Sequence, residues 1–107
     1  MVSMEASKPV AFDWDEGNAR KNEKHGVTQA EIEQVFLNAP LLLVPDGRHS
    51  LSEARYHALG RTDADRWLHV TFTLRDEGKL VRPISARDMH RKERPFYEQA
   101  LKNSAEV

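Results

Sequence analysis

No cysteine occurs in the 107 residues, which excludes a disulfide framework, a thiolate nucleophile and a cysteine-based zinc site. Long apolar runs are missing too: nothing approaches the ~18 residues a membrane helix needs, and no basic segment followed by an apolar run opens the chain. A cytoplasmic location is the expectation. Aromatic residues make up only 7%, thin support for a base-stacking platform of the RRM kind. The five histidines form no H-x-x-x-H pair, so no metal site is expected. Neither a Gly-rich phosphate loop nor a G-x-S-x-G elbow is present, which sets aside nucleotide hydrolases and esterases. No cofactor is expected.

What is present suits one folded domain spanning 1–107, with an ordered core over about 10–102. Hydrophobic residues at 39% and charged ones at 31% fit a packed soluble chain, not a disordered one. The net charge of −1 does not advertise a general nucleic-acid binder. Its distribution says more. Residues 1–53 carry five Lys or Arg against nine Asp or Glu, and residues 54–107 carry eleven against eight, so a polyanion would meet the second half, although a solvated surface can show the same asymmetry. The excess is densest from Lys79 to Arg94, where six basic residues face only Asp88 and Glu93.

Along the chain, Val10–Trp14 alternates as a short strand. Asp13, Asp15 and Glu16 allow a magnesium reading, but Asp15 is better used as the cap of a helix over 16–25, closed by Gly26. Thr28 and Glu31 form a capping box flanked by Val27 and Ile32, and Ile32, Val35, Phe36 and Ala39 recur at helical spacing until Pro40. Strands are expected at Leu41–Val44, Glu53–Leu59, Trp67–Arg75 and Leu80–Ala86, with a turn at Pro45-Asp46-Gly47 and hairpin connections at 60–66 and 76–79. Pro83 requires its strand to be at an edge or bulged. A last helix is expected from about Asp88 to Lys102, kinked or split at Pro95.

Several of these pieces, in this order, resemble the BrnT family of bacterial toxins: Phe12-Asp13-Trp14-Asp15, Lys24-His25-Gly26-Val27, Glu53-Ala54-Arg55-Tyr56 with Gly60, Phe72 to Arg75, and Ile84-Ser85-Ala86-Arg87 followed by Arg91-Lys92-Glu93-Arg94 and Tyr97. The resemblance covers about Phe12 to Tyr97. It implies a small ribonuclease similar to the RelE group, silenced by a cognate BrnA-like antitoxin that itself binds DNA, the complex repressing its own promoter.

Cutting RNA without a metal needs a base for the ribose 2′-hydroxyl, cations for the charged phosphorane and an acid for the leaving oxygen. The polar face of the hairpin strands offers such groups. Glu53, Arg55 and His57 lie opposite His69, Thr71, Thr73 and Arg75, and Arg87 arrives from the last strand. On this reading Arg75 and Arg87 hold the scissile phosphate, Arg55 supports them, and His57 or Glu53 accepts the proton. Lys92 and Tyr97, on one face of the last helix, finish the pocket or supply the acid, while Lys24, Arg91 and Arg94 extend an RNA-binding surface. The plain alternatives are that Arg55 and Glu53 pair across the sheet, that His69 is structural and that Tyr97 packs with a satisfied hydroxyl.

The expectation is therefore an α+β domain of RelE-like type: two N-terminal helices on a twisted, mainly antiparallel sheet of about four to five strands, plus a C-terminal helix. Its function is metal-independent RNA cleavage that lowers translation. The alternative is a non-catalytic module that binds a protein or nucleic acid through the basic helix or a strand edge.

Overall fold

The computed structural model describes residues 11–19, 25–46 and 54–105. Five strands form one mixed sheet, and three helices accompany it in an α+β arrangement. In chain order the elements are β1 (Ala11–Phe12), α1 (Glu16–Ala19), α2 (Gln29–Leu37), β2 (Leu42–Asp46), β3 (Arg55–Arg61), β4 (Trp67–Arg75), β5 (Leu80–Asp88) and α3 (Arg94–Ala105). The sheet order is β1-β5-β4-β3-β2. Only the β1–β5 pair is parallel, and the other three are antiparallel.

The capping box forms as expected. Thr28 Oγ1 accepts from the Glu31 N–H at 3.1 Å, and Glu31 Oε1 accepts from the Thr28 N–H at 3.0 Å. With its first turn fixed, α2 lays Ile32, Val35 and Phe36 on Ala58, Val70, Phe72 and Val81, all buried. Gly60 explains how close α2 comes to β3, because a Cβ there would stand 2.6 Å from Val35 Cγ1 and 3.1 Å from its carbonyl oxygen. Any larger residue must push the helix away.

Pro83 is accommodated by a bulge. Thr71 pairs with Ser85 and Phe72 with Pro83, which leaves Ile84 as the extra residue on β5. Ile84 is half-buried there. The buried Asn18 of α1 donates from Nδ2 to the Pro83 carbonyl at 2.9 Å and to the Asp13 carbonyl at 2.9 Å. Asp15 caps α1 as expected, accepting at Oδ1 from the N–H groups of Gly17 and Asn18. The acidic pair Asp13 and Asp15 faces Arg82, at 3.4 and 2.9 Å.

Two expectations are corrected. Pro45 and Asp46 belong to β2 and do not form a turn; β2 is the sheet's outer strand, where a proline costs no ladder bond. The last helix neither starts at Asp88 nor breaks at Pro95. Asp88 ends β5, and Pro95 sits in the first turn of α3, where a missing N–H leaves nothing unpaired. The face of the sheet opposite α2 carries α3 at one end, with Tyr97 and Leu101 on Leu42, Leu59 and Trp67.

Candidate active site on the polar sheet face

Strand alternation and the observed register order the polar face into rungs about 7 Å apart. Arg75 is outermost; next come Arg55, Thr73 and Arg82; then His57, Thr71 and Ser85; then His69 and Arg87. The hairpin pairs Arg75 with Leu80 and Arg87 with His69, six residues further along β4. Roughly 20 Å of strand therefore separates Arg75 from Arg87. They cannot grip one phosphate together, which corrects the arrangement expected from the sequence.

The expected residues fall instead into two adjoining groups. The first is an open cleft of about 200 Å³ lined by Arg55, Thr73, Arg75 and Arg82 with Asn18 and Ile84. Arg82 is half-committed to Asp13 and Asp15, and Thr73 Oγ1 donates to the Ala54 carbonyl at 2.8 Å. Arg55 is exposed and makes no ion pair with another described residue.

The second group is a chain of side chains drawn from β2, β3, β4 and β5 and the turn before α3. Asp46 Oδ2 lies 3.0 Å from His57 Nε2, His57 Nδ1 lies 2.9 Å from His69 Nε2, and His69 Nδ1 lies 2.6 Å from Glu93 Oε2. Thr71 Oγ1 stands 3.1 Å from His57 Nδ1. Arg87 closes the far end, donating to Glu93 Oε1 at 2.8 Å and Oε2 at 3.0 Å, with Nη2 also 2.8 Å from His69 Nδ1. His57 is the more exposed of the two histidines, its side chain 28% accessible against 14% for His69. Burial pulls His69 below its ordinary value, opposed by Glu93 and assisted by Arg87 and His57. Burial also works to raise Glu93, but hydrogen bonds from Arg87, the His90 N–H and His69 overcome it and hold the carboxyl at about 2. Such a chain can move a proton between its ends while both carboxylates stay charged.

Of the remaining candidates, Arg91 and Lys92 are exposed in the turn before α3. Arg94 lies over the Trp67 ring, 4.4 Å from its centroid. Tyr97 is wholly buried, donates its hydroxyl proton to the Pro40 carbonyl at 2.7 Å and is pushed up to about 12 by burial. It is out of reach of RNA, and because Lys92 precedes the helix the two share no helical face. The plain packing reading of Tyr97 holds. Glu53 and Lys24 lie outside the described residues. The sequence alone does not bring Asp46 and Glu93 to this face and leaves a structural role open for His69; Glu93, acidic within Arg91-Lys92-Glu93-Arg94, is the one visible signal. Among the described residues no group of three or more His, Asp or Glu stands so as to hold a metal ion, and no helix is long and apolar enough to cross a membrane.

The fold and this face define a small α+β domain with a basic cleft beside two hydrogen-bonded histidines. Residues 14–93, 80 of the 107, match the family model described as ribonuclease toxin, BrnT, of type II toxin-antitoxin system, and the chain belongs to that family. It is thus a ribonuclease toxin, with RNA as substrate and an antitoxin protein as partner. No curated protein matches it.

Proposed function

We propose that the chain is a metal-independent endoribonuclease of RelE-like type that works in the cytoplasm, lowers translation by cutting RNA and is neutralised by a BrnA-like antitoxin. One observation carries this reading: the arginine cleft is one rung from the Asp46–His57–His69–Glu93 chain, so a phosphate beside Arg55 has His57 as its nearest base. Arg55 and Arg75 neutralise the phosphate. His57 takes the 2′-hydroxyl proton, the 2′-oxygen attacks phosphorus, and the 5′-oxygen leaves with a proton from Lys92 or water. The products are a 2′,3′-cyclic phosphate and a 5′-hydroxyl.

The test is to incubate the purified chain, free of antitoxin and with excess chelator, with total RNA and to map the new ends. Discrete cuts bearing cyclic phosphate, lost in Arg55→Ala, are the expected result. The second reading, a non-catalytic binding module, has one observation in its favour: all four ring nitrogens of His57 and His69 already have partners within the protein. Intact RNA from folded protein, with antitoxin binding preserved, would favour it.

A further inference from the structure

We infer that Glu93 is a positioning residue that, through His69, turns His57 into a base by drawing the ring protons away from the Asp46 end. The inference deepens the ribonuclease reading and rests on it for the catalytic step alone; the proton arrangement stands on geometry.

Each contact in the chain needs one proton between its two atoms. The three contacts Asp46–His57, His57–His69 and His69–Glu93 therefore need three protons. Two neutral imidazoles carry only two. Those two fill two contacts at a time, and two of the three ways of placing them keep a proton between the rings. In one, His57 donates from Nε2 to Asp46, His69 donates from Nε2 to His57 Nδ1, and the bare Nδ1 of His69 accepts from Arg87 Nη2, 2.8 Å away. In the other, His57 donates from Nδ1 to His69 Nε2, and His69 donates from Nδ1 to Glu93. His57 Nε2 is then a lone pair. In the exchange His57 Nε2 gives a proton to solvent, the proton between the rings passes from His69 Nε2 to His57 Nδ1, and His69 Nδ1 takes one from solvent, while Arg87 keeps its two hydrogen bonds to Glu93.

The second arrangement is the reactive one. A 2′-hydroxyl inserted at His57 Nε2 gives up its proton there, the O–H bond breaks, and its electron pair goes to phosphorus. The pair of rings now holds three protons, and every contact has one: Nε2–H to Asp46, one between the rings, Nδ1–H to Glu93. The geometry is thus complementary to the charge that forms during reaction. The groups that face the pair are Asp46 from β2, Arg55 from β3 one rung away, the Thr71 hydroxyl from β4, Arg87 from β5 and Glu93 from the turn before α3. Glu93 alone can receive the proton at the His69 end. Its own charge is secured by Arg87 and by the His90 N–H at 2.8 Å. Burial favours the neutral form of His69.

The experiment is ring-nitrogen NMR of the full chain against pH, in the parent, in Glu93→Gln and in Glu93→Asp. Loss of the opposite charge in Glu93→Gln should lower the His69 midpoint by about one unit or more, and Glu93→Asp should restore most of it. RNA cutting should fall at least tenfold in kcat in Glu93→Gln with KM unchanged, because Glu93 touches no substrate. A midpoint that does not move, or a cutting defect confined to KM, overturns the inference. The unmodified chain gives a check that needs no variant: a through-hydrogen-bond coupling between the His57 and His69 ring nitrogens is expected, and its absence also overturns it. If the parent cuts no RNA, the ribonuclease reading fails while the NMR still decides the proton arrangement.

Discussion

The sheet's two faces are built on opposite logic. Under α2, Phe72 lies between the edge-on ring of Phe36 at 5.0 Å and the stacked ring of Tyr56 at 5.5 Å, among Val35, Val70 and Val81, all nearly or wholly sealed from water except Tyr56. On the other face, beyond the end that α3 covers, charged groups satisfy one another in a line from Arg87 to Asp46, and the arginine cleft opens on the Asp46 side, at the rung of Arg55. Burial of apolar area stabilises the first face in proportion to area. The second gains little from its ion pairs, since charges taken out of water lose nearly what their partners return. The apolar face holds the fold, and the polar face adds little to it.

The strongest way to test that division is to damage each face separately. Phe72→Ala removes a side chain only 1% exposed and should lower unfolding free energy by about 3–5 kcal/mol, measured by urea denaturation; a loss below about 1 kcal/mol would mean that the apolar face is not what holds the sheet. Arg55→Ala should do the reverse. Cleavage should fall by about a hundredfold or more, as for loss of one group that stabilises transition-state charge, with no change in the denaturation midpoint. Equal damage to folding would move Arg55 into the architecture.

A smaller effect sharpens the apolar side. Gly60→Ala places a Cβ against Val35 Cγ1 and the Val35 carbonyl, and overpacking of this kind costs about 1–3 kcal/mol. The second substitution Val35→Ala removes the clashing methyl but not the carbonyl, so it should recover part of the loss in the double variant. Independent, additive losses would show that the α2–β3 approach is looser than the structure has it.

The same division governs what could be read from the sequence. Trp67–Arg75 was legible residue for residue, because strict alternation has one solution on a sheet with one buried face. The capping box was equally plain, since it is local. Pro83 announced an edge or a bulge, and only the pairing of Thr71 with Ser85 and Phe72 with Pro83 selects the bulge. The polar face was harder because its partners, Asp46, His57, His69 and Glu93, are brought together by registers that no local pattern fixes. Asp46 was hidden in Pro-Asp-Gly, a sequence that reads as a turn. The separation of Arg75 from Arg87 was available in principle: a hairpin turning at 76–79 pairs residue 75 with 80, so 87 must lie far along the strand.

Tyr97 offers the finest test, because it lies where α3 closes the end of the polar face without joining its chemistry. Its hydroxyl bonds the Pro40 carbonyl in a buried setting against Trp67, the rings 4.9 Å apart. Tyr97→Phe keeps the ring and removes that bond, which should cost about 1 kcal/mol at neutral pH and leave RNA cutting unchanged. The pH dependence has a definite sign. Burial raises the folded value from 10.0 to about 12, so the folded state favours the neutral phenol more than the unfolded chain does. That contribution is complete below pH 10 and is lost as pH rises through 12. Tyr97→Phe cannot ionise, so its stability should fall less steeply across that window, and the two proteins' denaturation midpoints should converge. Parallel alkaline profiles, or a loss of cleavage at neutral pH, would return Tyr97 to the site from which its burial removes it.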